Sequence, residues 1–238
     1  MRCEWGPVGA ARVAGAAAVV VVDVLSFTTS VSVLVERGTA VYPCVWLDAR
    51  AGTFAQEHEA VLAVGRREVN DAQPWSLSPA ALRLAPAPPR LVLPSPNGSA
   101  IAAAAAGVVV AASLRNAAAV GRWLRDRGYG SEKPIAVVPA GERWPDGSLR
   151  PALEDLLGAG AVLHALDAPD AACSPEARLA RGAYAGMTRA AVGEAVHSCG
   201  SGHELVSGGF ADDVTVAAEL DSSLAVPVLE AGCFRDVT

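Results

Sequence analysis

The stretch that most constrains the fold of this chain is residues 17–38, AAVVVVDVLSFTTSVSVLVERG. A run of valines ends at one carboxylate, Asp23, and a cluster of hydroxyl residues then leads into an apolar segment. This order predicts a buried strand of a parallel sheet followed by a helix. In open α/β sheets, ligands bind at the carboxyl ends of the strands, and a helix N-terminus there favours an anion. We therefore expect Asp23 to mark a binding site for an anion or a metal ion.

The charge and composition of the chain argue against some kinds of binding partner. The 238 residues carry a formal net charge of −6, and Lys133 is the only lysine. Binding to nucleic acid depends on clustered cations, so we expect no nucleic-acid partner. No apolar stretch reaches the roughly 20 residues of a membrane-spanning helix, so we expect no membrane partner. The length and the hydrophobic content of 52% suit one large or two small domains. No proline- or glycine-rich break divides the sequence into two clear halves, so we expect a single domain that spans residues 1–238.

The number and spacing of the cysteines indicate the cellular compartment in which the protein resides. There are five, they are scattered, and no C-x-x-C pair occurs. This usage is typical of reduced thiols rather than of a disulfide framework. The apolar residues before Asp23 end in β-branched valines, which favour a strand over a secretory signal. We therefore expect a cytoplasmic protein, with a homodimer as the commonest default for its assembly.

Strand-like and helix-like segments alternate along the chain. The predicted strands lie at 17–25, 39–46, 60–64, 90–93, 107–113, 134–139 and 226–229. The predicted helices lie at 29–37, 47–58, 99–106, 116–127, 153–166, 175–192 and 211–220. This alternation predicts an α/β fold with a mainly parallel sheet and helices on both faces. The proline-rich stretch at 68–89 is interpreted as an active-site loop or a crossing segment, with a linker as the alternative.

Polar residues follow several of the predicted strands. Asp23, Asn97, Asn116 and Gly141 each lie at or just beyond a strand end. The carboxyl ends of parallel strands share one edge of the sheet, so we expect these four loops to converge. The turn at 95–99, SPNGS, also offers backbone N–H groups to an anion. Taken singly, each feature is also typical of an ordinary turn or helix cap.

Charged residues near the same edge suggest further ligands. Glu154 and Asp155 open the predicted helix at 153–166. Two acids in a first turn are commonly partners of the helix dipole, but they also suit Mg²⁺, which prefers oxygen ligands. Arg115 follows the strand at 107–113 and has the guanidinium fork that pairs with oxyanions.

Other chemistries fit the sequence less well. A phosphatase of the haloacid-dehalogenase type has D-x-D-x-T after a strand, whereas position 25 here is leucine. The segment HSCGSGH brings His197, Cys199 and His203 together, but their spacing matches no standard zinc pattern. The chain has neither a G-x-S-x-G nucleophile elbow nor a G-x-x-x-x-G-K-[ST] loop.

The order of motifs over residues 17–229 is that of a known family. The motifs are VVVVDVLSFTTSV, VGRR, SPNGSA, SLRNAAAV, VVPAGERWPDGSLRPALEDLLGAGAVL and SGHELVSGGFADDVTVAAELD. In this order they resemble the 2-phosphosulfolactate phosphatase family, and the fifth resembles its actinobacterial branch. The resemblance implies a three-layer α/β/α fold and a Mg²⁺-dependent phosphatase. The implied reaction hydrolyses 2-phosphosulfolactate to sulfolactate and phosphate, a step of coenzyme M biosynthesis.

The strand-end positions and the resemblance together give a predicted site for a small anionic phosphorylated substrate. The predicted catalytic residues are Asp23, Arg67, Asn97 and Asn116. The predicted substrate-binding residues are Ser26, Thr28, Thr29, Ser30, Ser95, Gly98, Ser99, Arg115, Gly141, Glu142 and Arg143. The predicted ligands of Mg²⁺ are Asp23, Glu154 and Asp155.

Three departures from the family pattern give a second hypothesis. Family members usually have an arginine where this chain has Ser26, an acid where it has Arg66, and a cysteine where it has Pro139. With serine at position 26, we expect the site to lack the arginine fork that binds oxyanions well. The alternative function is therefore an inactive relative that binds an anionic metabolite without hydrolysing it.

Overall fold

The valine run forms a central strand of a large mixed sheet, as its sequence predicts. A computed structural model describes residues 1–13 and 15–238. Within them, nine strands form one sheet in the order β1-β7-β2-β6-β10-β11-β3-β5-β4. These strands are β1 (Arg2–Cys3), β2 (Ala18–Val22), β3 (Ala40–Cys44), β4 (Val61–Leu62), β5 (Arg90–Pro94), β6 (Val108–Ala112), β7 (Ile135–Pro139), β10 (Pro227–Glu230) and β11 (Cys233–Asp236). Two further strands, β8 (Glu142–Arg143) and β9 (Leu149–Arg150), form a separate antiparallel pair.

Helices cover both faces of the sheet. The helices are α1 (Gly6–Arg12), α2 (Phe27–Val35), α3 (Ala49–Glu57), α4 (Pro79–Leu84), α5 (Gly98–Ala104), α6 (Ala117–Asp126), α7 (Leu153–Ala165), α8 (Pro175–Ala185), α9 (Arg189–Ser198), α10 (Gly200–Ser207) and α11 (Ala211–Ala217), with a short 3₁₀ turn at Asp170–Ala172. No helix in the described part of the chain is long and apolar enough to cross a membrane.

Alternating side chains of the strands build the two halves of the core. In β2, Val20 and Val22 pack with α6 and α7, whereas Val19 and Val21 pack with α2 and α5. Every residue of β2 is buried, because helices cover both of its faces. The layers are therefore helix, sheet and helix, which confirms the predicted three-layer α/β/α fold.

The sheet consists of two parallel blocks joined by antiparallel strands. The first block is β1-β7-β2-β6 and the second is β3-β5-β4. The hairpin of β10 and β11 lies between them, and its pairings with β6 and β3 are both antiparallel. Because three antiparallel pairings separate the blocks, the second block runs in the opposite sense along the sheet. The sheet is mainly parallel, as predicted, but it is mixed.

Most predicted elements are present with shifted ends, and one predicted helix is wrong. The segment at 175–192 forms two helices, since α8 ends before Gly186 and α9 begins after Thr188. The Thr188 hydroxyl accepts a hydrogen bond from the Ala191 N–H at 3.2 Å, which starts the new helix. The stretch at 68–89 contains α4, whose N-cap is Ser78. The short elements β1, α1, β8, β9, α10 and β11 were not predicted.

Close contact between α7 and α8 generates a test of the packing. We expect Gly160→Ala to lower the free energy of unfolding by about 1–3 kcal/mol, because its new methyl group would collide with the Ala180 carbonyl oxygen. Gly182→Ala in α8 is the matched control, since nothing lies within 4 Å of the added carbon. That control should raise stability by about 0.5–1 kcal/mol. Urea denaturation measures both, and equal effects of the two changes would contradict this packing.

Candidate active site

The carboxylate of Asp23 joins the N-termini of two helices just beyond β2. Its Oδ1 accepts a hydrogen bond from the Phe27 N–H at 3.1 Å, at the start of α2. Its Oδ2 accepts one from the Gly98 N–H at 2.8 Å, at the start of α5. Gly98 has no room for a side chain, because an added Cβ would lie 2.8 Å from Asp23 Oδ2 and closer still to the Phe27 ring. The sequence therefore places glycine where a backbone N–H must approach this acid.

A second buried carboxylate, Asp155, joins the ends of two strands. It lies in the first turn of α7. Its Oδ1 accepts a hydrogen bond from the Val24 N–H at 2.7 Å, and its Oδ2 accepts one from the Gly141 N–H at 2.8 Å. Val24 follows β2 and Gly141 follows β7, so this one side chain fixes both loops.

Two more acids complete the cluster. Glu142 Oε2 accepts a hydrogen bond from Asn97 Nδ2 at 2.9 Å, which joins the turn after β5 to β8. Glu154 is 1% exposed, and its Oε2 has no hydrogen-bond partner among the described residues. A buried charged oxygen without a partner is costly, so this atom indicates a missing ligand. Cys199 is close to Glu154, and burial raises the pKa of its thiol to about 12, so it stays protonated.

The acids shift one another's titration. Burial raises the pKa of Asp23 to about 6, and the negative charge of Glu154 adds to the rise. Burial likewise raises the pKa of Glu142 to about 7, with further contributions from the charges of Asp23 and Glu154. The pKa of Asp155 lies well above its usual range, mainly because of burial and then because of Glu154. The cluster therefore disfavours negative charge unless a cation joins it.

One arginine, Arg66, reaches the edge of this cluster. Its Nη2 donates to the Ser26 hydroxyl at 2.8 Å, and its Nε donates to Asp213 Oδ2 at 3.1 Å. The guanidinium group of Arg66 therefore lies beside Ser26. This corrects the expectation that serine at position 26 leaves the site without one.

Several clefts open beside Arg66. One, of about 250 Å³, is lined by Arg66, Arg67, Glu142, Ser201 and Phe210 among others. Another, of about 330 Å³, is lined by Gly65, Arg66, Pro94, Pro96 and apolar residues of α3 and β4. The first gives solvent access to Glu142, one of the cluster acids. Arg67, a predicted catalytic residue, is exposed on its rim.

The predicted hydroxyl cluster is not accessible. Thr28 and Thr29 are fully buried, and their hydroxyls donate to the backbone carbonyls of Asp23 at 2.8 Å and Val24 at 2.7 Å. Ser30 and Ser99 are also fully buried, and the Ser95 side chain is 2% exposed. The hydroxyls of Thr28 and Thr29 close the turn after β2. The buried Oγ atoms of Ser30 and Ser99 have no hydrogen-bond partner among the described residues.

Two predicted site residues lie away from the acids. The Arg115 side chain is 2% exposed and donates to Ser32 Oγ at 2.8 Å. Asn116 is fully buried and bonds within its own turn, with its Oδ1 accepting from the Ser113 N–H at 2.8 Å. The structure therefore gives both residues a supporting role in the interior.

The remaining predicted residues are close to the acids, but their backbone groups are occupied. The N–H of Gly98, in the turn predicted to hold an anion, is bonded to Asp23, and the N–H of Gly141, a predicted substrate-binding residue, is bonded to Asp155. The anion at these turns is thus the chain's own carboxylate. Arg143 is exposed on β8 and donates to the Gly147 carbonyl at 3.1 Å.

The predicted convergence of four strand-end loops holds for those of Asp23, Asn97 and Gly141, for two different reasons, but not for that of Asn116. Gly141 lies beside Asp23 because β7 is the parallel neighbour of β2. Asn97 follows β5, which belongs to the reversed block, so a shared sheet edge does not explain its place. Twist of roughly 20–25° per strand accumulates to about 100–125° over the five steps from β2 to β5. The strand β5 therefore crosses the direction of β2, and α5 packs against β2.

The acids of the cluster offer few free oxygens to the magnesium ion that the resemblance implies. No group of three His, Cys, Asp or Glu side chains within residues 1–13 and 15–238 is arranged to hold a metal ion. Magnesium, however, is usually bound by one or two carboxylates, with water and phosphate as the other ligands. Asp23 and the unpartnered Oε2 of Glu154 fit that mode. Asp155 uses both oxygens on backbone N–H groups, as Asp23 does, and each of these oxygens keeps a second lone pair. Cys199, considered above for zinc, caps α10 by accepting from the Gly202 N–H at 3.3 Å.

Sequence reasoning missed Asp213 and Phe210. Asp213 is 1% exposed and holds Arg66, and the Arg66 guanidinium lies 5.6 Å from the centre of the Phe210 ring. The only signal for Asp213 was its place in the first turn of the helix predicted at 211–220. Its partner lies 147 positions earlier in the chain, and no local pattern joins the two.

The raised pKa of Glu142 predicts how stability depends on pH. The folded protein keeps this proton up to about pH 7, whereas an ordinary glutamate releases it near 4.5. Between those values the folded state binds more protons, so the free energy of unfolding falls as pH rises. We expect Glu142 to contribute about 1–3 kcal/mol to this fall in the free energy of unfolding. Glutamine does not titrate, so the contribution should be absent in Glu142→Gln.

The measurement is urea denaturation at pH 5 and pH 8 with EDTA present. Glu57→Gln is the matched control, because Glu57 is exposed at the end of α3. It should keep the full pH dependence of the wild type. The same dependence in Glu142→Gln as in the wild type would contradict the buried, proton-holding state of Glu142.

The family resemblance is confirmed by comparison with known protein families. The family model described as 2-phosphosulpholactate phosphatase matches residues 9–232, nearly the whole chain. The match includes every acid of the cluster, together with Arg66 and Asp213. It supports a phosphatase, a hydrolase of phosphoric monoesters. The chain therefore belongs to the 2-phosphosulpholactate phosphatase family.

Proposed function

We propose that the protein is a Mg²⁺-dependent phosphatase of small phosphorylated hydroxy acids, with 2-phosphosulfolactate as the substrate that its family suggests. The observation that carries this proposal is the unpartnered, buried Oε2 of Glu154 beside Asp23. A cation would give that oxygen a partner, and Glu142, whose titration is affected by the charges of Asp23 and Glu154, lines a solvent-accessible cleft. Burial of so much carboxylate is otherwise hard to explain energetically.

Asp23 and Glu154 are the proposed ligands of the ion. When bound, magnesium neutralises phosphoryl charge and helps to orient the attacking group. Asp23 is well placed for this role because the N–H groups of Phe27 and Gly98 fix its carboxylate. Asp155 is proposed here to position the loops after β2 and β7, and its role as a third ligand stays a prediction from the sequence.

Glu142 is the proposed proton donor. It lines the cleft of about 250 Å³, and its pKa of about 7 leaves a large fraction protonated near neutral pH. A carboxylic acid in that state can donate a proton to the oxygen that leaves the phosphoryl group. Asn97 holds the Glu142 side chain in place, which supports a predicted role for Asn97 close to the chemistry. Arg67, on the rim of the same cleft, is proposed to meet the incoming anion.

The test is phosphate release from a panel that includes 2-phosphosulfolactate and phospholactate, with Mg²⁺ and with EDTA. We expect release that requires Mg²⁺. Asp23→Asn and Glu154→Gln should each lower kcat about 10²-fold or more, because a transition-state charge then lacks its partner. Asp126→Asn, an exposed acid at the end of α6, is the control and should keep wild-type activity.

Two results would contradict the proposal. Full activity of Asp23→Asn would remove Asp23 from the site. Release of no phosphate from any compound, combined with ligand-dependent thermal stabilisation, would instead support the inactive relative that binds an anionic metabolite.

A further inference from the structure

The guanidinium of Arg66 is held in one orientation before any ligand arrives. Nε donates to Asp213 Oδ2 at 3.1 Å, Nη2 donates to Ser26 Oγ at 2.8 Å, and the Phe210 ring lies 5.6 Å away. A side chain fixed in this way loses little further freedom on binding an anion. The planar fork is also the geometry that matches a carboxylate.

Asp213 is itself fixed by other groups. It lies in the first turn of α11 and is 1% exposed. Its Oδ1 accepts hydrogen bonds from the Ser78 hydroxyl and from the Ala80 N–H, the latter at 3.2 Å. With Oδ1 occupied by α4 and its cap, Oδ2 faces Arg66. The acid therefore sets the orientation of the arginine.

Arg66 remains open to ligands in spite of these contacts. Its side chain is 21% exposed, and it lines both the 250 Å³ cleft and the 330 Å³ cleft. Nη1 makes no hydrogen bond with any residue that the structure describes. A free donor on an oriented guanidinium, facing a cleft, is an anion-binding group.

The neighbouring arginines are less suited to this task. Arg115 is buried against Ser32, and Arg143 bonds to the carbonyl of its own hairpin. Arg150 donates to both carboxylate oxygens of Glu204, at 2.6 and 2.8 Å. Arg67 lines the cleft but is exposed and has no described hydrogen bond to fix it.

Arg66 is bonded to Ser26 and not to Asp23, whose oxygens hold Phe27 and Gly98. It is therefore offset from the acids that would face the phosphoryl group. With a phosphoryl group at these acids, a group bound at Arg66 would be a second part of the same small molecule.

We propose that Arg66 is the specificity-determining residue that binds a carboxylate carried by the substrate beside its phosphoryl group, and that Asp213 is the positioning residue for Arg66. The inference rests on the proposed phosphatase function and assigns the binding of the hydroxy acid's carboxylate to one side chain. A phosphomonoester without that group gains nothing from Arg66.

The test compares two substrates in the Mg²⁺-loaded full-length protein. Phospholactate carries a carboxylate, whereas p-nitrophenyl phosphate does not. We expect Arg66→Ala to raise KM for phospholactate about 10- to 100-fold, the usual effect of losing a charge-assisted hydrogen bond. For p-nitrophenyl phosphate, kcat/KM should stay within about twofold of the wild type. Asp213→Asn should shift KM for phospholactate in the same direction with kcat unchanged.

Controls separate this role from a merely structural one. Arg66→Lys keeps the charge but loses the fork, so it should fold and still show part of the KM increase for phospholactate. Arg122→Ala, on the exposed face of α6, should leave both substrates unaffected. Equal losses on both substrates in Arg66→Ala, or no loss on either, would overturn the inference.

Failure of the phosphatase function gives a different result. If the wild type releases phosphate from neither compound, calorimetric titration with phospholactate replaces the kinetics. An affinity at least 10-fold weaker in Arg66→Ala than in the wild type would support the assignment of Arg66. Equal affinities, or no binding to the wild type, would overturn it.

Discussion

The rest of the site depends on hydrogen bonds that backbone N–H groups donate to two buried carboxylates. Asp23 binds the starts of α2 and α5, and Asp155 binds the ends of β2 and β7. Each acid satisfies donors that would otherwise be buried without partners, and each joins elements that are distant along the chain. Glycines at positions 98 and 141 allow this close approach, the second with a φ of +67°.

The same arrangement brings several acidic side chains together in a largely buried region. Glu142 and Glu154 lie next to the two aspartates, and burial together with the neighbouring negative charges raises the pKa of Asp23, Asp155 and Glu142. Desolvated acids of this kind mark functional sites, because a cation or a proton restores the balance. Arg66 supplies positive charge at the edge of the cluster, but Asp213 already neutralises much of it. Under the proposed function, a divalent cation and an anionic substrate would join this cluster.

The sequence was a good guide to the elements and to the acids, and a poorer guide to access. Continuous valines and regular alternation predicted β2, its neighbours and the layers, because burial on both faces leaves a clear hydrophobic pattern. The short β1 and β11 and the helices α1 and α10 gave too little pattern to be predicted. The hydroxyls of Thr28 and Thr29, expected to face a ligand, close their own turn instead. A local pattern shows which groups a residue has, but not which of its neighbours will use them.

The sequence by itself determined the family, the three-layer architecture and the acid at the end of β2, since these follow from hydrophobic periodicity and ordered motifs. Only the tertiary structure decided which groups meet. The reversed block of strands and the twist of the sheet carry Asn97 to Glu142, and long-range packing places Arg66 between Ser26 and Asp213. Such contacts join residues 40 to 147 positions apart. Their geometry is set by how helices and strands pack, and packing is a property of the whole core rather than of any segment.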